Sequence, residues 1–457
     1  MHIPTRSNQT LAVFGLGASG LAAVDALRAS GATVLAWDDS PEPRHAAQEA
    51  GIALSEPARW DWPDLDALVL SPGIPLTHPE PHPVVRRARR SDCPVIGDIE
   101  LLGEAVPDAR MVGVTGTNGK STTTALLGHL LTEAGRQVAV GGNLGPPALS
   151  LPALGRGGIY VLECSSFQLD LVERMRFEVA ILLNVSPDHL DRHGDLAGYV
   201  AAKRRIFRDR PGGGQVAIVG TDDDAGRLLL AYLAERPGWT LVPIGVGRTV
   251  DGGVSVLGGT LFEGAAPVAD LSGIDTLPGA HNHQNAAAAF AAARSLGLTR
   301  AEAAAALATY PGLPHRQETV AVIDGVRYVN DSKATNGEAS RHALVCYDAI
   351  YWIAGGKPKV DGLAAVLSEL HRVRRAYLIG EAEDAFAREI GGRAPVARCG
   401  DLARALAAAH RDAQRERPPG AAVLLSPACA SFDQWPSFAA RGDAFREAVR
   451  GLGEAST

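Results

Sequence analysis

The sequence predicts an α/β protein built from several doubly wound, mainly parallel sheets, and three observations predict it. Short apolar runs alternate with longer helical patterns along the whole chain. Those runs carry few alternating polar residues, as strands covered on both faces do. At 457 residues the chain is also too long for one core, and roughly 150 residues per domain gives three. Hydrophobic residues at 46% and charged ones at 21% exclude a wholly disordered chain, and 51 Gly with 29 Pro exclude a coiled coil.

In chain order, LAVF (11–14) reads as a strand, with a glycine loop and then a helix over about 19–30. ATVLAW (32–37) and DALVLSPG (66–73) continue this first set. A second set comprises MVGVTG (111–116), QVAVGGN (137–143), YVLECSS (160–166), VAILLNVS (179–186) and QVAIVG (215–220). The Ala-rich run 286–293 reads as a buried helix. A third set holds IYWIAGG (350–356), AYLIG (376–380) and AVLLSPA (422–428). Pro/Gly punctuation at CPVIGDI (93–99) and YPGLP (310–314) separates the sets, so domains are expected at 1–98, 99–312 and 313–457.

Charge and cysteine bound the function. With 44 basic and 51 acidic residues the net charge is −7, which disfavours nucleic acid as a partner while leaving room for a local phosphate site. Cys93, Cys164, Cys346, Cys399 and Cys429 are odd in number and form no CxxC pair, which suits a reducing compartment rather than a disulfide framework or zinc cluster. The N-terminus lacks a signal-peptide pattern, and no apolar run approaches the roughly 20 residues of a membrane span. A cytoplasmic protein is expected.

Two glycine loops carry the chemistry. Gly15-Leu16-Gly17-Ala18-Ser19-Gly20 follows a strand and opens a helix, with Asp38 at the end of the next strand. This is close to a dinucleotide fingerprint, although tight βα packing alone also calls for such glycines. The second loop, Thr115-Gly116-Thr117-Asn118-Gly119-Lys120-Ser121, sits between a strand and a helix striped by Leu126, Leu127, Leu130 and Leu131, with Gly135 as its cap. It keeps the GK[ST] core of a P-loop, with Val114 in place of the first glycine. Its backbone N–H groups and Lys120 suit ATP phosphates, and the Ser121 hydroxyl suits Mg²⁺.

A phosphate-bound Mg²⁺ needs hard oxygen ligands from nearby strand ends, and Glu163 is so placed. His189, flanked by Asp188 and Asp191, reads either as a surface loop residue or as a metal ligand. By periodicity alone Lys203 is a solvated cation on an amphipathic helix. Two polar stretches follow late strands, Asn330 to Asn336 and Ser426 to Asp433, with Pro314-His315-Arg316 ahead of the first. Together with the P-loop they argue for a second substrate.

VTGTNGKST, ECSSFQL (163–169), NVSPDHLDRH, LPHR, NDSKATN and SPACASFDQ together resemble the Mur ligases of peptidoglycan synthesis, in order from Gly15 to about Gly442. NDSKATN with SPACASFDQ is most similar to the branch that adds D-glutamate, and the DNPR signature of a sister branch is absent. The resemblance implies a UDP-binding domain, a central ATPase and a closing C-terminal domain, acting as a monomer on small-molecule substrates. It implies ATP-dependent addition of D-glutamate to UDP-N-acetylmuramoyl-L-alanine through an acyl phosphate, with ATP and two Mg²⁺ sites that Mn²⁺ can also fill.

Position by position, the resemblance assigns Gly15, Leu16, Gly17, Ala18, Ser19, Gly20, Asp38, Ser71, Gly73 and Asn143 to the UDP-linked substrate. Gly116, Thr117, Asn118, Gly119, Lys120, Ser121, Thr122, Asn282, Asn285, Arg316 and Asp331 would hold ATP. Ser121, Glu163, His189 and Lys203 would hold metal, Lys203 as a carbamate, and Lys120, Glu163, His189 and Lys203 form the catalytic set. Lys333, Thr335, Ser431 and Phe438 would line the D-glutamate side. Either Lys357 or Lys359 could meet the D-glutamate carboxylate, and spacing selects Lys359. NDSKATN runs on into Gly337-Glu338-Ala339 instead of the usual longer run, a departure from the family pattern.

Overall fold

The computed structural model describes residues 1–358 and 362–454. The first sheet has four parallel strands, β1 (Thr10–Phe14), β2 (Thr33–Trp37), β3 (Ala67–Leu70) and β4 (Val95–Ile96), in the order β2-β1-β3-β4. The second has nine, comprising β5 (Arg110–Thr115), β6 (Val138–Gly142), β7 (Ile159–Glu163), β8 (Val179–Leu182), β9 (Gln215–Gly220), β10 (Trp239–Val246), β11 (Val254–Leu257), β12 (Thr260–Glu263) and β13 (Ala266–Asp270). Their order is β13-β12-β11-β10-β9-β8-β5-β7-β6. The third holds β14 (Glu318–Ile323), β15 (Val326–Asn330), β16 (Ala349–Gly355), β17 (Val373–Ile379), β18 (Val396–Gly400) and β19 (Ala421–Leu425), ordered β14-β15-β19-β16-β17-β18.

The central strands are parallel and apolar on both faces, as the uninterrupted apolar runs require; β7, β8, β16 and β19 are buried at every position. Two edges depart from that pattern. β11 pairs antiparallel with β12, and β14 pairs antiparallel with β15. The sequence reading missed both edges, because these short half-exposed strands have weak apolar runs. The Ala-rich run is a fully covered helix, Ala286 to Ala293 being at most 3% exposed.

Residues Met1–Ala269 with Gln284–Thr309 form one compact unit, and Asp270–His283 with Tyr310–Thr457 the other. In the first unit one core runs from Leu11 and Val13 to Tyr160 and Leu162, and a second, around Trp60 and Trp62, covers the other face of the first sheet. In the second unit two clusters, around Trp352 and around Tyr351, cover the two faces of the third sheet.

The residues singled out by sequence fall where the strands end. β1 leads into Gly15, β2 into Asp38, β3 into Ser71, β5 into the P-loop, β6 into Asn143 and β8 toward His189, while β7 ends on Glu163. β15 runs into Asp331 and β19 into Ser426. Carboxyl ends of parallel strands gather ligands because no ladder partner occupies the loops that follow.

Candidate active site

The P-loop conformation follows from its glycines and from what its neighbours accept. Gly119 has φ +85°, and a Cβ there would lie 2.1 Å from Asn285 Oδ1, so any side chain there is strained and must displace the Asn285 amide. The Thr117 N–H donates to the Asn184 carbonyl at 2.9 Å and the Asn118 N–H to Asn184 Oδ1 at 2.9 Å. The helix Lys120–Glu133 then starts with no side-chain cap, so its first-turn N–H groups face the loop as an anion site would require. Gly135 at φ +70° ends it, as expected.

Lys120 Nζ donates to the carbonyls of Gly116 at 3.0 Å and Thr117 at 2.8 Å. Lys203 meets the same loop, its Nζ donating to Gly116 O at 2.7 Å and lying 4.4 Å from the Tyr199 ring centroid. It is only 1% exposed, which overturns the reading of it as a solvated cation. The helix Leu196–Arg204, capped by Asp195 Oδ1, points this side chain inward. Burial, and then the charge of Lys120, drive the Lys203 pKa well below the usual lysine range.

Glu163 is 2% exposed. Its Oε1 accepts from Asn143 Nδ2 at 2.7 Å, and its Oε2 is buried with no hydrogen-bond partner among the described residues. His189 is half exposed, with φ +53°, its ring 5.0 Å from Phe167 and its Nε2 3.6 Å from Asp188. Burial lowers its pKa, with Asp188 opposing and Lys120 and Lys203 adding to the shift. A neutral imidazole is the form that binds metal. A cleft of about 500 Å³ brings together Ser19, Gly73, Lys120, Asn143, His189 and Lys203.

The first glycine loop is held from two sides. Gly15 N donates to Trp37 O at 2.9 Å, and Asp38 Oδ2 accepts from Leu16 N at 2.7 Å. Asp38 Oδ1 takes the Ser40 N–H, so part of the Asp38 carboxylate shapes the loop. Gly20 stacks on the loop itself, since a Cβ there would lie 1.8 Å from Gly15 O. Tight βα packing therefore accounts for Gly20, while Ala18 and Ser19 reach the cleft. Ser71 packs against Gly15, its Cβ lying 2.4 Å from where a Gly15 Cβ would be.

In the second unit Asp331 is buried and accepts from Ser426 Oγ at 2.8 Å and Gln317 N at 3.2 Å. Burial raises its pKa to about 7, against those hydrogen bonds and Arg316. Lys333 Nζ lies 3.9 Å from the Phe438 ring centroid, bringing two of the five residues assigned to D-glutamate together. Ser431 is buried, and Thr335 N donates to Lys333 O at 2.9 Å. Lys357 is exposed and its N–H donates to Ala430 O. Lys359 lies outside the described residues.

Arg441 escaped the sequence reading. It is 0% exposed and donates to Ser332 O and Oγ, Cys429 O and Ala430 O, tying the two polar loops into one surface. Burial lowers its pKa to about 10, which leaves it charged at neutral pH. Nothing in FAARGDAFREAV distinguishes it from a solvated helix face. Asn282 belongs to this unit and donates to Pro278 O, whereas Asn285 belongs to the first unit and accepts from the Thr123 hydroxyl at 3.2 Å.

Residues 9–97 match the profile of the Mur ligase MurD-like N-terminal domain and residues 114–293 that of the Mur ligase middle domain. The UDP-N-acetylmuramoylalanine–D-glutamate ligase of Paramagnetospirillum magneticum is 52% identical over 98% of both chains. That of Phenylobacterium zucineum is 49% identical over 98% of this chain and 97% of its own. Among solved structures, a UDP-N-acetylmuramate-alanine ligase from Thermotoga maritima superposes with a TM-score of 0.57 at 16% identity, covering 97% of this chain and 99% of that one. A MurF structure from Acinetobacter baumannii gives 0.56 at 18% identity over 80% and 87%. At those identities the likeness is one of fold.

Proposed function

The chain belongs to the Mur ligase family, and from that premise we propose how its own residues carry the reaction. It is an ATP-dependent ligase that adds D-glutamate to UDP-N-acetylmuramoyl-L-alanine in peptidoglycan synthesis. The observation that carries the site reading is the convergence of Lys120 and Lys203 on the Gly116 carbonyl, in a cleft shared with Asn143 and His189.

A carboxylate is a poor electrophile, so the alanyl carboxylate oxygen first attacks the γ-phosphorus of ATP, giving an acyl phosphate and ADP. The amine of D-glutamate then attacks the acyl carbon, the C–O bond to phosphate breaks, and the leaving phosphate carries off the proton the amine sheds. Lys120 and the uncapped first turn of the helix Lys120–Glu133 hold the phosphates and offset the charge that develops on them. Asn282, Asn285, Arg316 and Asp331 bind the nucleotide in this reading. Gly15–Gly20, Asp38, Ser71, Gly73 and Asn143 seat the UDP-linked substrate, and Lys333, Thr335, Ser431 and Phe438, with Lys359, face D-glutamate.

The residues present fit a divalent cation. Glu163 Oε2 is a buried hard oxygen with no partner, and a neutral His189 has a ligating nitrogen. Among the described residues no group of three His, Cys, Asp or Glu gathers at one point; in this reading Ser121 and a modified Lys203 complete the set. Burial disfavours the charged ammonium of Lys203, and in its neutral form the nitrogen attacks CO₂ and loses a proton, giving a carbamate with an anionic oxygen donor. Bound Mg²⁺ supplies positive charge against the phosphates and the tetrahedral intermediate.

The division at 1–98, 99–312 and 313–457, into UDP-substrate, ATP and closing domains, is part of this reading; each span contains one of the three sheets. We place the enzyme in the cytoplasm, as a monomer; no helix among the described residues is long and apolar enough to cross a membrane. The test is ADP formation from UDP-N-acetylmuramoyl-L-alanine with D-glutamate, L-glutamate, L-alanine and meso-diaminopimelate in turn. Turnover with D-glutamate alone supports the reading, and a preference for any other overturns it.

A further inference from the structure

A second cavity, about 680 Å³, lies on the far side of the helix Leu196–Arg204 from the cleft. Lys203 and Tyr199 line the cleft, while Gly198, Ala201, Ala202 and Arg204 line this groove. Five guanidinium groups converge on it, those of Arg176, Arg204, Arg205, Arg208 and Arg236, in a chain whose net charge is −7. Two carboxylates share the lining, and both are engaged. Asp209 receives Arg236 and the Trp239 indole N–H at 2.8 Å, and Asp170 faces His193 at 3.7 Å.

Three of the five arginines serve the fold. Arg205 donates to Leu169 O and Val172 O, Arg176 to Asp209 O, Glu173 O and Met175 O, and Arg236 to Asp209 and Phe207 O. The other two do not. Among the described residues Arg208 Nε is buried with no hydrogen-bond partner, and Arg204 rests 4.9 Å from the Tyr232 ring centroid with no ion pair. Like charge is concentrated here at a cost. Burial, and next the charge of Arg208, lower the pKa of both Arg176 and Arg205. An anion would relieve that repulsion, and forked guanidiniums suit phosphate oxygens. The volume is that of a small-molecule site.

We propose that this groove binds the phosphates of a small diphosphate-bearing molecule, held by Arg204 and Arg208 across the helix from Lys203. The site is separate from the P-loop, so it does not depend on the ligase mechanism.

The probe is inorganic pyrophosphate, titrated calorimetrically without divalent metal. Because the P-loop can also take pyrophosphate, the background is Lys120→Ala, with Arg204→Ala/Arg208→Ala added on top. Neither of these two arginines holds a backbone carbonyl, and a thermal melt checks that the double substitution leaves the fold intact. A charge-matched control, Arg398→Ala/Arg415→Ala, alters two exposed arginines of the other unit. The expected result is one pyrophosphate per chain in the Lys120→Ala protein, weakened at least tenfold by the groove pair and unaffected by the control. No binding once Lys120 is gone, or equal weakening by the control, would overturn the proposal.

Discussion

Replacing Lys203 separates its structural from its chemical role. Lys203→Ala removes three methylene groups from a side chain that is 1% exposed, worth about 2 to 3 kcal/mol at roughly 0.8 kcal/mol each. It also takes one of the two donors from the Gly116 carbonyl, the 2.7 Å one, a further cost of about 0.5 to 1.5 kcal/mol because Lys120 Nζ still donates to that oxygen. Lys203→Met keeps an unbranched apolar side chain of similar bulk and loses the donor, so its stability should fall by about 0.5 to 1.5 kcal/mol. If a Lys203 carbamate supplies an anionic oxygen to the site, both variants should lose about 10²- to 10³-fold in kcat, the scale of one preorganised electrostatic group. Added formate or acetate should restore part of the Lys203→Ala rate, where there is room for it, and little of the Lys203→Met rate. The assay is coupled ADP release, alongside urea denaturation of each variant. Wild-type kcat in Lys203→Met, or full wild-type activity in CO₂-free buffer with no rescue of Lys203→Ala, would refute the reasoning.

Lys120→Ala should lower kcat/KM by several orders of magnitude, on the order of 4 kcal/mol or more in transition-state stabilisation, as read from initial rates at saturating D-glutamate. Near-normal rates would remove the P-loop assignment. Gly119→Ala places a Cβ 2.1 Å from Asn285 Oδ1 at φ +85°, so the KM for ATP should rise while that for D-glutamate stays close to wild type; equal changes in both would point to general unfolding instead. Burial keeps Asp331 protonated up to about pH 7, so folding stability should fall as pH rises from the ordinary carboxyl range to about 7 and level off above it. Asp331→Asn should flatten that part of the profile, and denaturation midpoints that keep the wild-type slope between pH 4 and 7 would contradict it.

The parts legible in the sequence were those in which spacing carries the chemistry. The GK[ST] core, the strand before it and the Leu stripe after it place Lys120 without any tertiary information, because backbone geometry alone puts that side chain over the loop. Glu163 was legible as a strand end, yet only the fold leaves its Oε2 without a partner. Lys203 was not legible from periodicity. In YVAAKRRIF it looks like its neighbour Arg204, and its burial depends on Tyr199 and the Gly116 carbonyl, 87 residues upstream. Arg441 was hidden for the same reason, since its partners are carbonyls of loops distant in sequence. The edge strands β11 to β13 were missed for a local reason. Their Gly-rich turns were visible, but four- and five-residue strands with mixed exposure leave little period-2 signal.

The acyl phosphate is the central claim, and isotope transfer tests it most directly. UDP-N-acetylmuramoyl-L-alanine labelled with ¹⁸O in the alanyl carboxylate is turned over with ATP and D-glutamate, and the inorganic phosphate is analysed by mass spectrometry or ³¹P NMR. Attack of the carboxylate on the γ-phosphorus predicts one labelled oxygen in each phosphate released, with ADP as the co-product. Unlabelled phosphate, or AMP with pyrophosphate, would contradict the account.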